Sequence, residues 1–214
     1  MNEKNPIFKQ HYGNYLRQMD AIDLSRCESV LGITVDKKHG IALIPFFQTL
    51  YRISTSGVMD DRSKRPDYGT CVILLKYLLM CPKKVPSKTD WVGYREFKDS
   101  GQAQNAGLAA YASTAISKRF AGDLCGLKAA AEALEGKPPK MDYTYDLSMV
   151  FEVLPRIPLL FLFNDAEGSF PAQALILFER RAEHFLDAEC RLMVEWYFFE
   201  HLKKVGHSLA KDRF

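Results

Sequence analysis

Asp146-Leu147-Ser148-Met149-Val150-Phe151-Glu152-Val153, then Leu154-Pro155-Arg156-Ile157-Pro158, then Leu159-Leu160-Phe161-Leu162-Phe163 is the stretch whose reading decides the fold class. Its first segment alternates, with Leu147, Met149, Phe151 and Val153 on one side, the period of a strand with one buried face. The prolines turn the chain. The last segment is apolar on both faces, as a central, fully buried strand is. Upstream, Ile33-Thr34-Val35, Ile41-Ala42-Leu43-Ile44 and Leu50-Tyr51-Arg52-Ile53-Ser54 are β-branched or alternating. They predict a three-stranded antiparallel meander across 33–55. Two groups of strands separated by helices, rather than strict β-α-β alternation, predict an α+β fold. A mostly antiparallel sheet would then be built from 33–55 and 146–163, with helices packed on it.

The helices follow from their periods and their ends. Asn5-Pro6 opens a helix near 6–20 that carries Ile7, Phe8, Tyr12, Tyr15, Leu16 and Met19 on one face. A short helix from Asp23 to Leu31 ends at Gly32. Residues 56–70 read as a loop. Cys71 to Cys81, with Lys76 as its only charge, reads as a buried helix stopped by Pro82. Trp91 to Phe97 alternates like a strand or an extended segment. Gln104–Phe120 and Leu124–Leu134 read as helices, the second ended by Gly136. Ser169 reads as the N-cap of a helix entered through Pro171, with Leu175, Phe178, Ala182 and Phe185 on one face. Asp187 caps the last helix, and Lys203 and Lys204 fall at its C-terminal end, where positive charge is favoured.

A length of 214 residues, 47% apolar and 26% charged, suits one globular domain spanning 1–214 and excludes general disorder. A net charge of +3 is too small a basic excess to imply nucleic acid. The densest basic stretch, Arg62, Lys64 and Arg65, reads as a solvated loop before it reads as a phosphate site. The longest apolar run, Ile157 to Phe163, is too short for a bilayer, which needs about 20 residues, so no membrane partner is expected. Five cysteines, Cys27, Cys71, Cys81, Cys125 and Cys190, have neither Cys-x-x-Cys spacing nor an even count. Five free thiols in a reducing, cytoplasmic compartment are the simpler expectation. The N-terminus shows no apolar signal core.

No motif names a reaction or a cofactor. Gly122-Asp123-Leu124-Cys125-Gly126 looks like a nucleophile elbow, but the nucleophile must stand centrally between the glycines. The five histidines lack the spacing of a metal-binding pair, so no metal is expected. His201 reads as a complement to the end of the last helix. Cys71, near a helix N-terminus, reads as a core thiol before it reads as a reactive one. The best candidate patch is Asn164 to Glu167, because it follows an apolar strand and strand ends place polar groups at clefts. Asp165 and Glu167 suit a cation or an acid–base pair. The competing reading is a solvated turn with charge at a helix N-terminus. Arg95 and Arg156 are the other charges set in apolar context, and a buried arginine wants a carboxylate, so either would pair Asp165 or Glu167. Arg95, Arg156, Asn164, Asp165 and Glu167 together form the candidate ligand site. Its ligand would be small and polar, or a protein surface; the sequence leaves the oligomeric state open.

Leu154 to Cys190 (LPRIPLLFLFNDAEGSFPAQALILFERRAEHFLDAEC), with Leu75-Lys76-Tyr77-Leu78-Leu79, Trp91 to Phe97 and Tyr51-Arg52-Ile53-Ser54, resembles the bacterial and archaeal family catalogued as domain of unknown function 3786. The resemblance covers roughly residues 10–205, and none of its blocks is a catalytic signature. Some relatives carry an added cysteine-rich iron–sulfur segment like that of corrinoid iron–sulfur proteins; the scattered cysteines here do not supply one. Relatives also tend to place an acidic residue before the Phe-Pro pair, where this chain has Ser169 before Phe170-Pro171, which weakens a metal-binding reading of that loop. The resemblance implies a non-catalytic binding or accessory protein beside anaerobic one-carbon or corrinoid metabolism. The alternative is a small-molecule enzyme using Asp165 and Glu167 with a nearby arginine.

Overall fold

The computed structural model describes residues 6–102 and 110–211. Two helices lead, α1 (Pro6–Met19) and α2 (Leu24–Leu31). Asp23 caps α2 by accepting from the Arg26 amide, and Gly32 closes it in the left-handed conformation at φ 69°. The first sheet follows as β1 (Thr34–Asp36), β2 (Ile41–Phe46), β3 (Thr49–Ser54) and β4 (Gly57–Met59), each antiparallel to the next. Helix α3 (Tyr68–Leu79) precedes the short strand β5 (Trp91–Gly93) and a 3-10 turn at Tyr94–Glu96. Then come α4 (Tyr111–Phe120), α5 (Leu124–Ala133), β6 (Leu147–Leu154), β7 (Ile157–Asn164), β8 (Gln173–Glu179), a 3-10 segment at Arg180–His184, and the long α6 (Ala188–Lys211). The second sheet is ordered β5-β8-β7-β6 and is antiparallel throughout.

The α+β expectation holds, and β7 is the interior strand it was read to be. Leu159, Leu160, Phe161 and Phe163 are fully buried. Phe198 of α6 packs edge-on against Phe151 of β6 and Phe161 of β7, with ring centroids 4.8 and 5.3 Å away. Most of the buried apolar side chains, drawn from both sheets and all six helices, belong to one contiguous cluster, and Tyr94 with Ala188 forms a small second one.

Four expectations are corrected. The strands form two sheets rather than one. The sheets meet where the Phe47 amide, in the β2–β3 turn, donates to the Val153 carbonyl of β6 at 2.9 Å. The meander has a fourth strand, because Gly57-Val58-Met59 returns along β3 from a two-residue turn inside the segment read as loop. The segment read as a helix after Ser169 is strand β8. Its core-facing side chains are Ala174, Ile176 and Phe178, while Leu175 stands 42% exposed. Leu175, Phe178, Ala182 and Phe185 match a helical spacing only because a strand runs straight into a 3-10 turn. Finally, α6 continues past Lys203 and Lys204 to Lys211, so those lysines lie within the helix and not at its end. The helix read over 104–120 is observed as α4 from Tyr111; residues 103–109 lie outside the described residues.

The single charge of the apolar helix α3 is accounted for. Lys76 reaches Asp187 at 3.0 Å, and Asp187 also caps α6 by accepting from the Cys190 amide at 2.9 Å. Burial opposes the Lys76 charge, but the carboxylate beside it outweighs burial and raises the ammonium pKa.

Candidate functional site

The five residues singled out in the sequence do not converge. Arg156 precedes β7 and Asn164 ends it. Eight strand residues at about 3.3 Å each put them roughly 25 Å apart. Arg156 instead closes the end of α2: its Nε donates to the Val30 carbonyl at 3.1 Å and its Nη2 to the Ser29 carbonyl at 3.0 Å. A cation at a helix C-terminus satisfies carbonyls that have no intrahelical partner. Arg95 sits exposed in the 3-10 turn after β5, and among the described residues no carboxylate lies within ion-pair distance of it. The expected arginine–carboxylate pairing is therefore corrected.

Asn164 and Asp165 tie turns together. Asn164 Oδ1 accepts from the Asp146 amide at 3.1 Å, and the Asp165 amide donates to Asp146 Oδ2 at 2.8 Å. Asp165 Oδ1 accepts from the amides of Gly122 and Ala166, both at 2.7 Å. The Glu167 and Phe170 backbones bond to each other, which closes the loop into β8.

A cleft of about 790 Å³ opens elsewhere, between the first sheet, the N-terminus of α3 and the C-terminal half of α6. Tyr197, His201, Lys204 and Ser208 recur along α6 at intervals of four, three and four residues, so one face of the helix presents all of them. Phe46, Thr49 and Tyr51 of the first sheet form the opposite wall. Asp67 and Thr70 enter from α3, and Arg119 from the end of α4.

Asp67 is the anchor of this floor. It caps α3 by accepting from the Thr70 amide at 3.2 Å and the Thr70 hydroxyl at 2.6 Å, and it also accepts from the Tyr197 hydroxyl. Gly69 makes the approach of Tyr197 feasible, since a Cβ there would stand 2.4 Å from the phenol oxygen. Burial, then the Asp67 charge, push the Tyr197 phenol well above its ordinary range, so it remains a donor at neutral pH.

His201 stacks on Phe47 with ring centroids 4.5 Å apart. Burial, followed by the Lys204 ammonium, lowers its pKa, which favours the neutral imidazole at physiological pH. Lys203 is taken by Glu200 at 2.6 Å. Among the described residues no carboxylate lies within ion-pair distance of Lys204 or Arg119, although Arg119 rests 5.0 Å from the Phe120 ring centre. The cleft thus holds two cations that, among the described residues, have no carboxylate within ion-pair distance, together with a neutral imidazole, the Thr49 hydroxyl, and the Ser208 hydroxyl, which donates to the Lys204 carbonyl at 3.3 Å.

The sequence reading missed this cleft because it ended α6 too early. With the helix carried on to Lys211, the spacing of Tyr197, His201, Lys204 and Ser208 puts these four polar side chains on one face of α6. Nothing local marks Asp67 as their neighbour, since it lies 130 residues from Tyr197. Among the described residues, no three His, Cys, Asp or Glu side chains cluster as a metal site would, and no helix is long and apolar enough to cross a membrane.

The family model described as Domain of unknown function (DUF3786) matches residues 23–201. The chain belongs to this family. The match takes in both sheets, α2 to α5, and α6 as far as His201, so part of the cleft's helical wall, from Lys203 to Ser208, lies beyond it. No curated protein and no solved structure gives a significant match.

Proposed function

We propose that this DUF3786 protein is a binding protein for a small anionic ligand, held in the cleft between α3, α6 and the first sheet. The observation that carries this reading is the convergence on a cleft of about 790 Å³ of Lys204 and Arg119, two cations with no carboxylate partner among the described residues. That volume suits a ligand of metabolite size. Charge-assisted hydrogen bonds from an ammonium and a guanidinium supply both affinity and orientation for a carboxylate or phosphate. The neutral His201 and the Thr49 hydroxyl add uncharged contacts to the same ligand. The Asp67–Thr70–Tyr197 cluster gives that floor a fixed geometry without spending its own charge on the ligand.

Binding rather than chemistry is the reading favoured by the side chains. Asp67 is occupied as a helix cap, Tyr197 is held protonated, and Asp165 is occupied by two backbone amides. A setting in anaerobic one-carbon or corrinoid metabolism belongs to the same proposal and rests on the family resemblance alone.

Titration calorimetry at low ionic strength tests the reading, with inorganic phosphate, citrate and a nucleoside monophosphate as probes and a neutral sugar as control. At least one anion should bind at a single site. Lys204→Ala and Arg119→Ala should each weaken it by about tenfold or more, the scale of one charge-assisted bond. Absence of binding by all three anions, or equal binding by the variants, overturns the proposal.

A further inference from the structure

Far from the cleft, α2 and the end of α3 meet at a pair of thiols. Cys27 lies on the inner face of α2 with none of its surface exposed. Cys81 follows Met80, the C-cap of α3, and is half-buried. The neighbouring Arg26 fixes how these segments meet. Its guanidinium donates to the Pro82 carbonyl at 2.9 Å and to the Cys81 carbonyl at 3.5 Å. The chain leaving α3 is thereby clamped to the first turn of α2, beside Cys27, and the Cys81 thiol, which donates to the Pro82 carbonyl at 3.7 Å, adjoins the Cys27 thiol. None of the other three cysteines shares this setting. Cys71 and Cys190 are buried in the core, and Cys125 is exposed on α5.

We propose that Cys27 and Cys81 form a redox modification site, at which a low-molecular-weight disulfide converts the dithiol into an intramolecular disulfide. Cys81 is the entry point because it alone of the two reaches solvent. Its thiolate attacks one sulfur of R–S–S–R, the S–S bond breaks, and RS⁻ leaves and takes up a proton. Cys27 then loses its proton and its sulfur attacks the Cys81 sulfur of the mixed disulfide. A second RS⁻ leaves and is protonated in turn. Two protein thiols are oxidised, one small disulfide is reduced to two thiols, and no other co-reactant is needed.

The order of events follows from the surroundings. Burial and the facing thiol hold Cys27 protonated, with its pKa pushed up to about 12, so it does not react first with reagents from solvent. It becomes the resolving group only when Cys81 already carries a leaving thiol beside it. The product cross-links α2 to the end of α3, which the Arg26 clamp already brings together.

The full-length protein, incubated with oxidised glutathione, acid-quenched, alkylated and digested without reductant, tests the site by mass spectrometry. The expected map joins the peptides containing Cys27 and Cys81, leaves Cys71 and Cys190 alkylated only after unfolding, and returns to five alkylated thiols after dithiothreitol. In Cys27→Ala the glutathione should remain on Cys81, and in Cys81→Ser neither position should be modified. A wild-type map with glutathione persisting on Cys81, or with Cys27 untouched after prolonged oxidation, overturns the proposal. The wild-type map decides the matter even where a variant folds poorly.

Discussion

The Tyr77 hydroxyl donates to the Leu31 carbonyl at 2.8 Å and accepts from the Arg156 amide at 3.1 Å, joining α3 to the end of α2 and to the turn between β6 and β7. The phenol is fully buried, and both of its partners are backbone groups. Removing the oxygen leaves a donor and an acceptor unsatisfied, at about 1–3 kcal/mol each. Tyr77→Phe should therefore lower unfolding stability by a few kcal/mol in urea titration while leaving anion binding in the cleft unchanged. A stability equal to wild type would show that these backbone groups find other partners.

Phe161 is fully buried on the interior strand β7, with its ring beside those of Phe163 and Phe198. Phe161→Ala should cost about 3–5 kcal/mol, the range for a buried phenylalanine that leaves a cavity. A thermal melt within a degree of wild type would place the ring in a site able to collapse around the loss.

Glu195 gives a pH dependence with a definite sign. It lies 4% exposed on α6, and burial pushes its carboxyl up to about 8, against a smaller downward pull from Arg191. An unfolded glutamate titrates near 4.3. Between about pH 4 and 8 the native state therefore holds one more proton than the unfolded state. The stability contribution of Glu195 is complete below the unfolded value and falls by about 1.4 kcal/mol per pH unit until the folded value is passed. Glu195→Gln should remove this slope, so its stability advantage over wild type should grow from pH 5 to pH 8 in urea titrations. Parallel profiles for the two proteins would exclude the effect.

Asp165 and Glu167 should separate under mutation. Asp165→Ala loses an acceptor for the Gly122 and Ala166 amides and should cost about 1–2 kcal/mol, whereas Glu167→Gln touches only a backbone-bonded turn and should fall within about 0.5 kcal/mol of wild type. Chemical denaturation of both variants checks this. Equal costs would mean that the Glu167 side chain carries more of the turn than its backbone bonds do.

Gly69→Ala should disturb the cleft selectively. A methyl group 2.4 Å from the Tyr197 oxygen must expel the phenol from Asp67 or shift α3. Anion affinity should fall although both cations remain, and ultraviolet titration should show the Tyr197 phenol ionising at lower pH than in wild type. An unchanged titration would show that the tyrosine keeps its place.

What was legible in the sequence was local. Asp23 and Gly32 announce α2 because a capping carboxylate and a left-handed glycine act within one turn. Alternation in 147–153 and unbroken apolarity in 159–163 announce β6 and β7 because burial on one face or two leaves its period in the chain. Strand β8 was hidden by the 3-10 segment that follows it, since Phe178, Ala182 and Phe185 are all buried at spacings a helix would also produce. The cleft was hidden for a different reason. Asp67 meets Tyr197 and Phe47 meets His201 only after the chain has folded, and no period in the sequence records such meetings.

The short strand β5 has a consequence for how this protein is made. Trp91-Val92-Gly93 pairs with β8, and Arg180 reaches back ninety residues to Asp90. On a ribosome the N-terminal meander can close as soon as it emerges, because its hairpins are local. Strand β5 emerges after it and has no partner until β8 (Gln173–Glu179) has been translated. The nascent chain must therefore carry an unpaired edge next to the apolar helix α3 while the residues between β5 and β8 are made. That interval, rather than the finished molecule, is where a chaperone would find the most to hold.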